Sequence, residues 1–185
     1  VVIETLEKSG KNFKIQEFYP FGSDERQFCS PGINLPVGVL MRTPYYEFKE
    51  YHTADDNLKI IKKKWLNDSL ITLCKIISKL ENEKNSENPK NKKFIELKHD
   101  TYLNLKPKCE PQLGKRKLYR EISKQRLVDK NDSENLKEMS IFWVLNFSDG
   151  MHSLEDISKK SELSLELLKK SAKILVEKKL LKKLA

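Results

Sequence analysis

The sequence predicts an α/β segment followed by a small, mainly helical domain that ends in a short strand. Two observations carry this prediction. In the first third of the chain, helical and strand-like patterns alternate with polar loops, whereas in the last third three capped amphipathic helices follow one another. A stretch without large apolar residues, at 81–93, separates the two parts.

The composition limits the class of protein. The chain has 36 Lys and Arg against 27 Asp and Glu, a net charge of +9, and the basic residues are dispersed rather than clustered. Dispersed lysine is typical of a solvated surface, so we do not expect a nucleic-acid patch. Cys29, Cys74 and Cys109 lack the spacing of a zinc ribbon, which indicates reduced thiols and a cytoplasmic protein. No apolar run has membrane-spanning length, so no membrane partner is expected.

The first elements follow a helix–strand–loop order. Residues 1–9 predict a helix that Gly10 ends. Residues 13–19 and 33–41 alternate as strands, although Pro36 favours an edge position for the second. This order is typical of the ligand-binding edge of an open α/β sheet.

A long helix is predicted after Asp56. Its large apolar residues recur at steps of four and three and form one stripe that should pack on the sheet, namely Leu66, Leu70, Leu73, Ile77 and Leu80. Short strand-like alternation at 94–105 and then a Pro-broken block at 106–120 follow the linker. The polar residues of this block, Glu110 among them, either reach back toward the first domain or form an irregular strap. We therefore predict an α/β part at 1–83, a linker and connecting segment at 84–130, and a second domain at 131–185.

The second domain is predicted to be a winged helix-turn-helix. Ser133 can cap a helix running to about Phe147, Ser153 can open a short second helix with Asp156 in a capping box, and Ser164 can open a third. Residues 180–184 can add a short strand. Three helices with a tight turn before the third, and then a strand, are typical of a winged helix.

The third helix of this domain would be the one that reads DNA. Its exposed residues are of mixed charge, namely Glu166, Lys169, Lys170, Lys173 and Glu177. It lacks the Arg, Asn or Gln that pair with base edges, so DNA is not the expected partner. Packing, protein contacts or self-association are expected instead.

The densest group of chemically capable residues lies at 22–58. A charged loop at 23–27 is followed by Tyr51-His52-Thr53, with Glu50 and Asp56 on either side. An imidazole among carboxylates is a metal-ligand arrangement when a carboxylate fixes the ring tautomer. A merely hydrogen-bonded loop histidine is the simpler alternative.

Several separated motifs carry a family resemblance. GSDERQFCSPGINLPVGVLMR at 22–42 and EYHTADDNL at 50–58 resemble the C-terminal part of the co-catalytic di-zinc aminopeptidases. The nearer similarity is to a bacterial aminopeptidase-like family that is often found with surface-polysaccharide genes and ends in a winged helix. CEPQLGKRKLY at 109–119 and WVLNFSDGMHSLEDIS at 143–158 look like later blocks of that family.

The resemblance implies the fold class and a set of site residues. The fold would be the C-terminal part of a zinc-aminopeptidase-like α/β domain, followed by the winged helix. His52 would be the last metal ligand, with Glu50 and Asp56 as its supporting partners. The substrate side would be lined by Ser23, Asp24, Glu25, Arg26, Gln27 and Tyr51, Arg26 being suited to a carboxylate.

The remaining zinc ligands and the general base of that superfamily precede the Ser-Asp segment, and residues 1–21 contain no histidine. We therefore expect the C-terminal part of a larger hydrolase, with one zinc ligand, no catalytic residue of its own and no activity alone. A peptide, an aminoacyl compound or an amino-sugar conjugate all stay open as substrate. The alternative is a non-catalytic binding or regulatory protein that uses its winged helix.

Overall fold

The computed structural model describes most of the chain, namely residues 1–20, 24–44, 47–82, 98–108, 110–119 and 133–185. They form two compact units, each of which is described by itself. The first unit comprises Val1–Glu17 and Met41–Lys93, and the second comprises Phe18–Leu40 and Phe94–Ala185. Ser23 and much of the predicted linker lie outside the described residues.

Six α-helices and three β-strands lie within these ranges. In chain order they are α1 (Val2–Glu7), α2 (Asp24–Phe28), α3 (Lys63–Asn82), β1 (Thr101–Asn104), α4 (Ser133–Phe147), β2 (Asp149–Ser153), α5 (Leu154–Ser161), α6 (Leu165–Glu177) and β3 (Leu181–Lys183). Short 3₁₀ turns occur at Leu58–Ile60 and Gly114–Arg116. None of the described helices is both long enough and apolar enough to cross a membrane.

The first unit is built on the packing of α1 against α3. Ile76 of α3 is buried. Lys79 pairs with Glu4 of α1 at 2.5 Å, and Asp68 pairs with Arg42 at 2.6 Å and also with Lys11. Hydrogen bonds from Lys11 and Arg42 hold the pKa of Asp68 below its usual range. Positions 68, 76 and 79 share one helix face, so the rest of the unit binds one side of α3.

The apolar stripe of α3 (Leu66, Leu70, Leu73, Ile77 and Leu80) is exposed along its whole length. The expectation that it packs on a sheet is wrong for the described residues, since the first unit has no strand among them. The physical reason lies in a neighbouring face of the helix. The contacts of α1, Lys11 and Arg42 all occupy that face and leave the stripe turned away from the unit.

Two strand predictions in the first part of the chain are also wrong. Residues 13–19 and 33–41 run as irregular chain without a ladder. Alternation favours an extended backbone, but a strand forms only where a neighbour completes its hydrogen bonds, and no described residue supplies that neighbour. Instead Leu35 donates its backbone N–H to the Phe28 carbonyl at 2.9 Å, which turns the second segment back onto α2.

The second unit contains a winged helix-turn-helix, as the sequence predicts. Helices α4, α5 and α6 pack together over a three-stranded antiparallel sheet with the order β2-β1-β3. One core joins all of these elements, and its fully buried members include Val144, Leu154, Leu168 and Leu175.

Two of the three predicted helix caps of this domain are confirmed, whereas Ser133 is itself the first residue of α4. Ser153 accepts the Asp156 backbone N–H at 3.2 Å, while the Asp156 carboxylate accepts the Ser153 N–H at 3.0 Å, which completes a capping box. Lys98 also binds this carboxylate at 2.8 Å, and the two contacts hold the pKa of Asp156 far below its usual range. Ser164 caps α6 by accepting the Leu167 N–H at 3.3 Å.

The central strand of the sheet comes from the segment predicted as a linker. β1 pairs with β2 on one side and with β3 on the other, so the sheet of the winged helix begins well before residue 131. Asn104, which is buried, donates its side-chain amide to the Leu145 carbonyl at 2.9 Å and ties the strand to α4. Both partner strands follow later in the chain, so no local pattern reveals that four residues here form the middle strand.

The segment Phe18–Leu40 is held on the winged helix by aromatic side chains. Phe18 meets Trp143 and Phe147 of α4 edge-on, with ring centroids 6.2 and 5.9 Å apart. Tyr19 approaches Trp143 in the same way at 6.1 Å, and Trp143 stacks on Phe147 at 5.3 Å. Such aromatic pairs contribute stability in addition to that of the apolar area they bury, and they attach this segment to the second unit.

Candidate functional site

The charged loop that the sequence singled out becomes the short helix α2 in the second unit. Asp24 is exposed and Glu25 is half-buried. Arg26 and Gln27 turn inward, and Arg26 is only 9% exposed. The predicted substrate-side residues are thus divided between an outer acidic pair and an inner pair that contacts the rest of the unit.

Arg26 is the centre of a buried polar cluster. Its guanidinium pairs with the carboxylate of Glu110 and lies 3.3 Å from the hydroxyl of Tyr119, which itself donates to Glu110. The guanidinium carbon sits 4.0 Å above the ring of Phe142 on α4. Gln27 adds a contact, because its side-chain oxygen accepts the Glu110 backbone N–H at 2.5 Å.

Burial within this cluster raises the pKa of Tyr119 to about 12, and the hydrogen bond to the Glu110 carboxylate acts in the same direction. Tyr119 therefore stays neutral and donates to Glu110 through the physiological range. Arg26 already holds a carboxylate that belongs to its own chain. Substrate binding by Arg26 stays a prediction, and it would require this pair to open.

A cavity beside the cluster is too small to be a substrate pocket. It measures about 20 Å³ and is lined by Arg26, Ser30, Asn104, Glu110, Phe142 and Asn146, among others. That volume suits one water molecule, whereas pockets for small molecules are more than tenfold larger. The cluster therefore functions as an anchor of α2 and not as an open binding cleft.

The predicted metal-ligating residues lie on a turn of the first unit. His52 is exposed and has a φ of 56°, a left-handed conformation that is uncommon for a residue other than glycine. The Tyr51 and His52 rings are 4.2 Å apart. Thr53 donates its N–H to the Glu50 carbonyl at 3.1 Å, and the Asp56 N–H reaches the Thr53 carbonyl at 3.1 Å.

This turn does not make a metal site by itself. Among the described residues, no group of three or more His, Cys, Asp or Glu side chains is placed to hold a metal ion. The described residues therefore do not fit a complete zinc centre. What the turn offers is one accessible imidazole, held on a backbone of unusual conformation.

Sequence reasoning missed most of the partners of Arg26. It left open whether Glu110 reaches back or belongs to an irregular strap, and the structure places it on Arg26. The sequence places Tyr119 only at the end of the 109–119 motif and Phe142 only within a predicted helix, and it links neither residue to Arg26. The available signal was the pairing of an acidic residue, Glu110, with the aromatic residue Tyr119 in the Pro-broken block.

Comparisons with known proteins follow the two parts of the chain. Residues 100–183 match the winged helix-turn-helix family. The match begins one residue before β1 and defines the class of the C-terminal domain. Residues 1–83 match a domain of unknown function (DUF4910).

The relatives are longer proteins. The chain is 43% identical over 182 residues to a Clostridium acetobutylicum protein, described as a candidate polysaccharide biosynthesis protein with an aminopeptidase-like domain. The alignment covers 98% of this chain and 37% of that protein. A crystal structure of a candidate peptidase from the same organism is 41% identical, with 99% of this chain and 35% of that chain covered and a TM-score of 0.42.

The chain is thus related along nearly its whole length to an aminopeptidase-like protein, and the resemblance drawn from its motifs is confirmed. It spans little more than a third of that relative, 37% of its length.

Proposed function

We propose that this chain is the C-terminal part of a zinc-dependent, aminopeptidase-like hydrolase that acts in the cytoplasm in surface-polysaccharide metabolism. The observation that carries the proposal is the 43% identity, along 98% of the chain, to a protein described by an aminopeptidase-like domain and polysaccharide biosynthesis. At this identity over this length, the two chains share a fold, and a shared fold is the reason to expect related chemistry.

Within this proposal His52 supplies one zinc ligand, and the others come from the part of the full-length protein beyond this chain. Two observations support this role. The imidazole is exposed on its turn, and the backbone at His52 holds a left-handed conformation. Such outliers cluster at functional sites, where the surroundings hold a residue in place at some energetic cost. Glu50 and Asp56, at the two ends of the turn, would orient the ring.

The outer residues of α2 face the substrate in this proposal. Asp24 and Glu25 are its accessible acidic residues, and carboxylates attract the ammonium group of a peptide, an aminoacyl compound or an amino sugar. Arg26 and Gln27 hold the helix in position from inside, through their contacts with Glu110.

The zinc content of the full-length protein tests the proposal. His52→Ala should lower the zinc bound per molecule by removing one ligand, and any hydrolysis of aminoacyl substrates should fall with it. The fold should be nearly unaffected, because truncation of an exposed side chain leaves no cavity. His99→Ala is the matched control, since His99 is also exposed and lies outside every motif of the resemblance. Equal zinc in the wild type and His52→Ala would contradict the role of His52.

The same proposal sets a limit for this chain alone. With one ligand presented and no three-residue cluster among the described residues, the isolated chain should bind zinc no more tightly than micromolar. It should also not hydrolyse aminoacyl substrates. Isothermal titration that finds a tight zinc site on the isolated chain would contradict this expectation.

A non-catalytic binding or regulatory role is the second candidate. The incomplete metal set of the described residues favours it. A full-length protein that folds, contains no zinc and turns over no aminoacyl substrate would support this candidate over the first.

A further inference from the structure

The apolar stripe of α3 is a continuous exposed surface in the described part of the first unit. Leu66, Leu70, Leu73, Ile77 and Leu80 are 61%, 59%, 44%, 56% and 51% exposed. They extend along about 21 Å of the helix at a rise of 1.5 Å per residue. Single exposed leucines are ordinary, but a contiguous row of five marks a surface that binds another apolar surface.

The described part of the first unit does not cover this stripe, because its contacts with α3 lie on a neighbouring face of the helix. Asp68, Ile76 and Lys79 lie on one face and receive Arg42, Lys11 and α1. Each of these three helix positions bears an ion pair or a buried side chain, so the orientation of α3 is fixed by several independent contacts. The stripe therefore stays turned outward.

A second copy of the chain is a poor occupant for the stripe. The 4-3-4-3 spacing is that of a coiled-coil seam, but five residues make only about two heptads, and a stable two-stranded coil takes at least about three. The positions that flank the seam include Asn67, Ser69 and Cys74, which are uncharged. They cannot form the ion pairs that select a partner helix and its register.

The length of the relative indicates a better occupant. The Clostridium acetobutylicum protein matches 98% of this chain, but the match takes up only 37% of its own length. A large polypeptide in that protein therefore lies outside the matched region. We propose that the apolar stripe of α3 is the surface on which the remaining part of the aminopeptidase-like domain packs in the full-length protein. This inference rests on the proposed function only in assuming that such a part exists, and it does not depend on zinc.

Cysteine labelling tests the proposal. Leu73→Cys places a thiol in the stripe, and Lys75→Cys places a matched thiol at another exposed position of the same helix, outside the stripe. Each is introduced into this chain alone and into the full-length protein, and maleimide labelling at each position is followed by peptide mass spectrometry. Leu73→Cys should react about tenfold more slowly, or slower still, in the full-length protein, because labelling then requires local opening. Lys75→Cys should react equally fast in both.

Two outcomes would overturn the proposal. One is equal labelling of Leu73→Cys in both proteins, which would mean that nothing covers the stripe. The other is slow labelling in this chain alone that speeds up on dilution, which would assign the stripe to a second copy. If Leu73→Cys does not fold, backbone hydrogen exchange of wild-type α3 replaces it, and equal exchange in both proteins would again contradict the proposal.

The result is independent of the zinc measurements. A full-length protein without zinc would refute the proposed function, but slow labelling of its stripe would still uphold this inference.

Discussion

Arg26 shows how one residue joins two sequence-distant parts of the second unit. Its guanidinium is paired with Glu110, lies near Tyr119 and covers the ring of Phe142. Burying two charges is costly, and the cost is offset only when their geometry and extra hydrogen bonds compensate for lost hydration. The guanidinium suits this role because its planar fork can bind a carboxylate and stack on an aromatic ring together.

We expect the Arg26–Glu110 pair to be worth much more than an ion pair on the surface. Glu110→Gln leaves the guanidinium buried without a counter-charge, so the free energy of unfolding of the second unit should fall by about 3 kcal/mol. Glu166→Gln is the control, because the Lys170–Glu166 pair is exposed and screened by water, so its loss should cost far less. Urea unfolding of both variants gives the comparison, and equal losses would show that the Arg26 pair is not effectively buried.

Tyr119 makes the stability of the same cluster depend on pH in the alkaline range. Its pKa is raised from about 10 in the unfolded chain to about 12 in the folded one. The folded state thus holds this proton more tightly than the unfolded state does. The stabilisation that the Tyr119 proton contributes is complete below about pH 10. It is lost as the pH rises toward the folded pKa, because the unfolded chain ionises first.

Tyr119→Phe removes this titrating group and keeps the ring that contacts Phe142. The difference in unfolding free energy between wild type and Tyr119→Phe should therefore shrink between about pH 10 and 12. Chemical unfolding at several pH values measures it. A difference that stays constant through this range would show that Tyr119 titrates normally.

Among the elements, the turn after α2 is fitted to the backbone of the Pro-broken block. Gly32 donates its N–H to the Pro107 carbonyl at 2.8 Å. A Cβ at position 32 would lie 2.9 Å from the backbone carbon and oxygen of Pro107, which is closer than real contacts allow. This close approach gives the segment Phe18–Leu40 a further attachment to the second unit besides the Arg26 cluster.

Gly32→Ala should therefore destabilise the second unit by about 1–3 kcal/mol, the usual cost of overpacking. Gly38→Ala is the matched control in the same segment, because a Cβ there meets nothing within 4 Å. It should be neutral or slightly stabilising, since alanine restricts the unfolded chain. Thermal unfolding of the two variants distinguishes these effects, and equal melting temperatures would contradict the close approach.

Elements that depend on local signals are those the sequence predicts well. The capping residues Ser153 and Ser164 mark their helices within four residues, and the helical period marks α3. β1 could not be predicted in its role, because its partners lie far along the chain. For the same reason residues 13–19 have a strand-like pattern without forming a strand.

The candidate site, too, is predictable from the sequence only where its residues are contiguous. The motif around His52 is contiguous, so the sequence identifies it, and the structure adds the exposed ring and the unusual backbone. The role of Arg26 depends on Glu110, Tyr119 and Phe142, which only the fold brings together. A sequence motif can suggest that an arginine binds a carboxylate, but it cannot show that the carboxylate belongs to the chain itself.

For the molecule as a whole, the contacts of the winged helix indicate a packing role. Its α4 holds the segment Phe18–Leu40 through Phe18 and Tyr19. Two lysines that could approach DNA are already paired, since Lys169 and Lys183 both bind Asp100 at 3.0 Å. These contacts lower the pKa of Asp100, so they persist at neutral pH.

DNA binding by this chain should therefore be weak, without sequence preference and steeply dependent on salt. Mixed charge on α6, where Lys170 pairs with Glu166, leaves only loose contacts to phosphates. Fluorescence anisotropy with duplexes of different sequence, measured from low to physiological salt, checks this. Nanomolar, sequence-selective binding at physiological salt would contradict it.

The placement of β1 at the centre of the sheet has a consequence for how the winged helix forms. Its two partners are the strands after α4 and after α6, so β1 is synthesised before either strand that it pairs with, and both pairings close long loops. Contacts between residues far apart in sequence form late and slowly, because chain entropy is lost before they can stabilise anything. A ribosome-bound chain that stops before Leu181 would therefore hold β1 with one edge unpaired. We expect this domain to acquire its cooperative stability only after β3 has emerged.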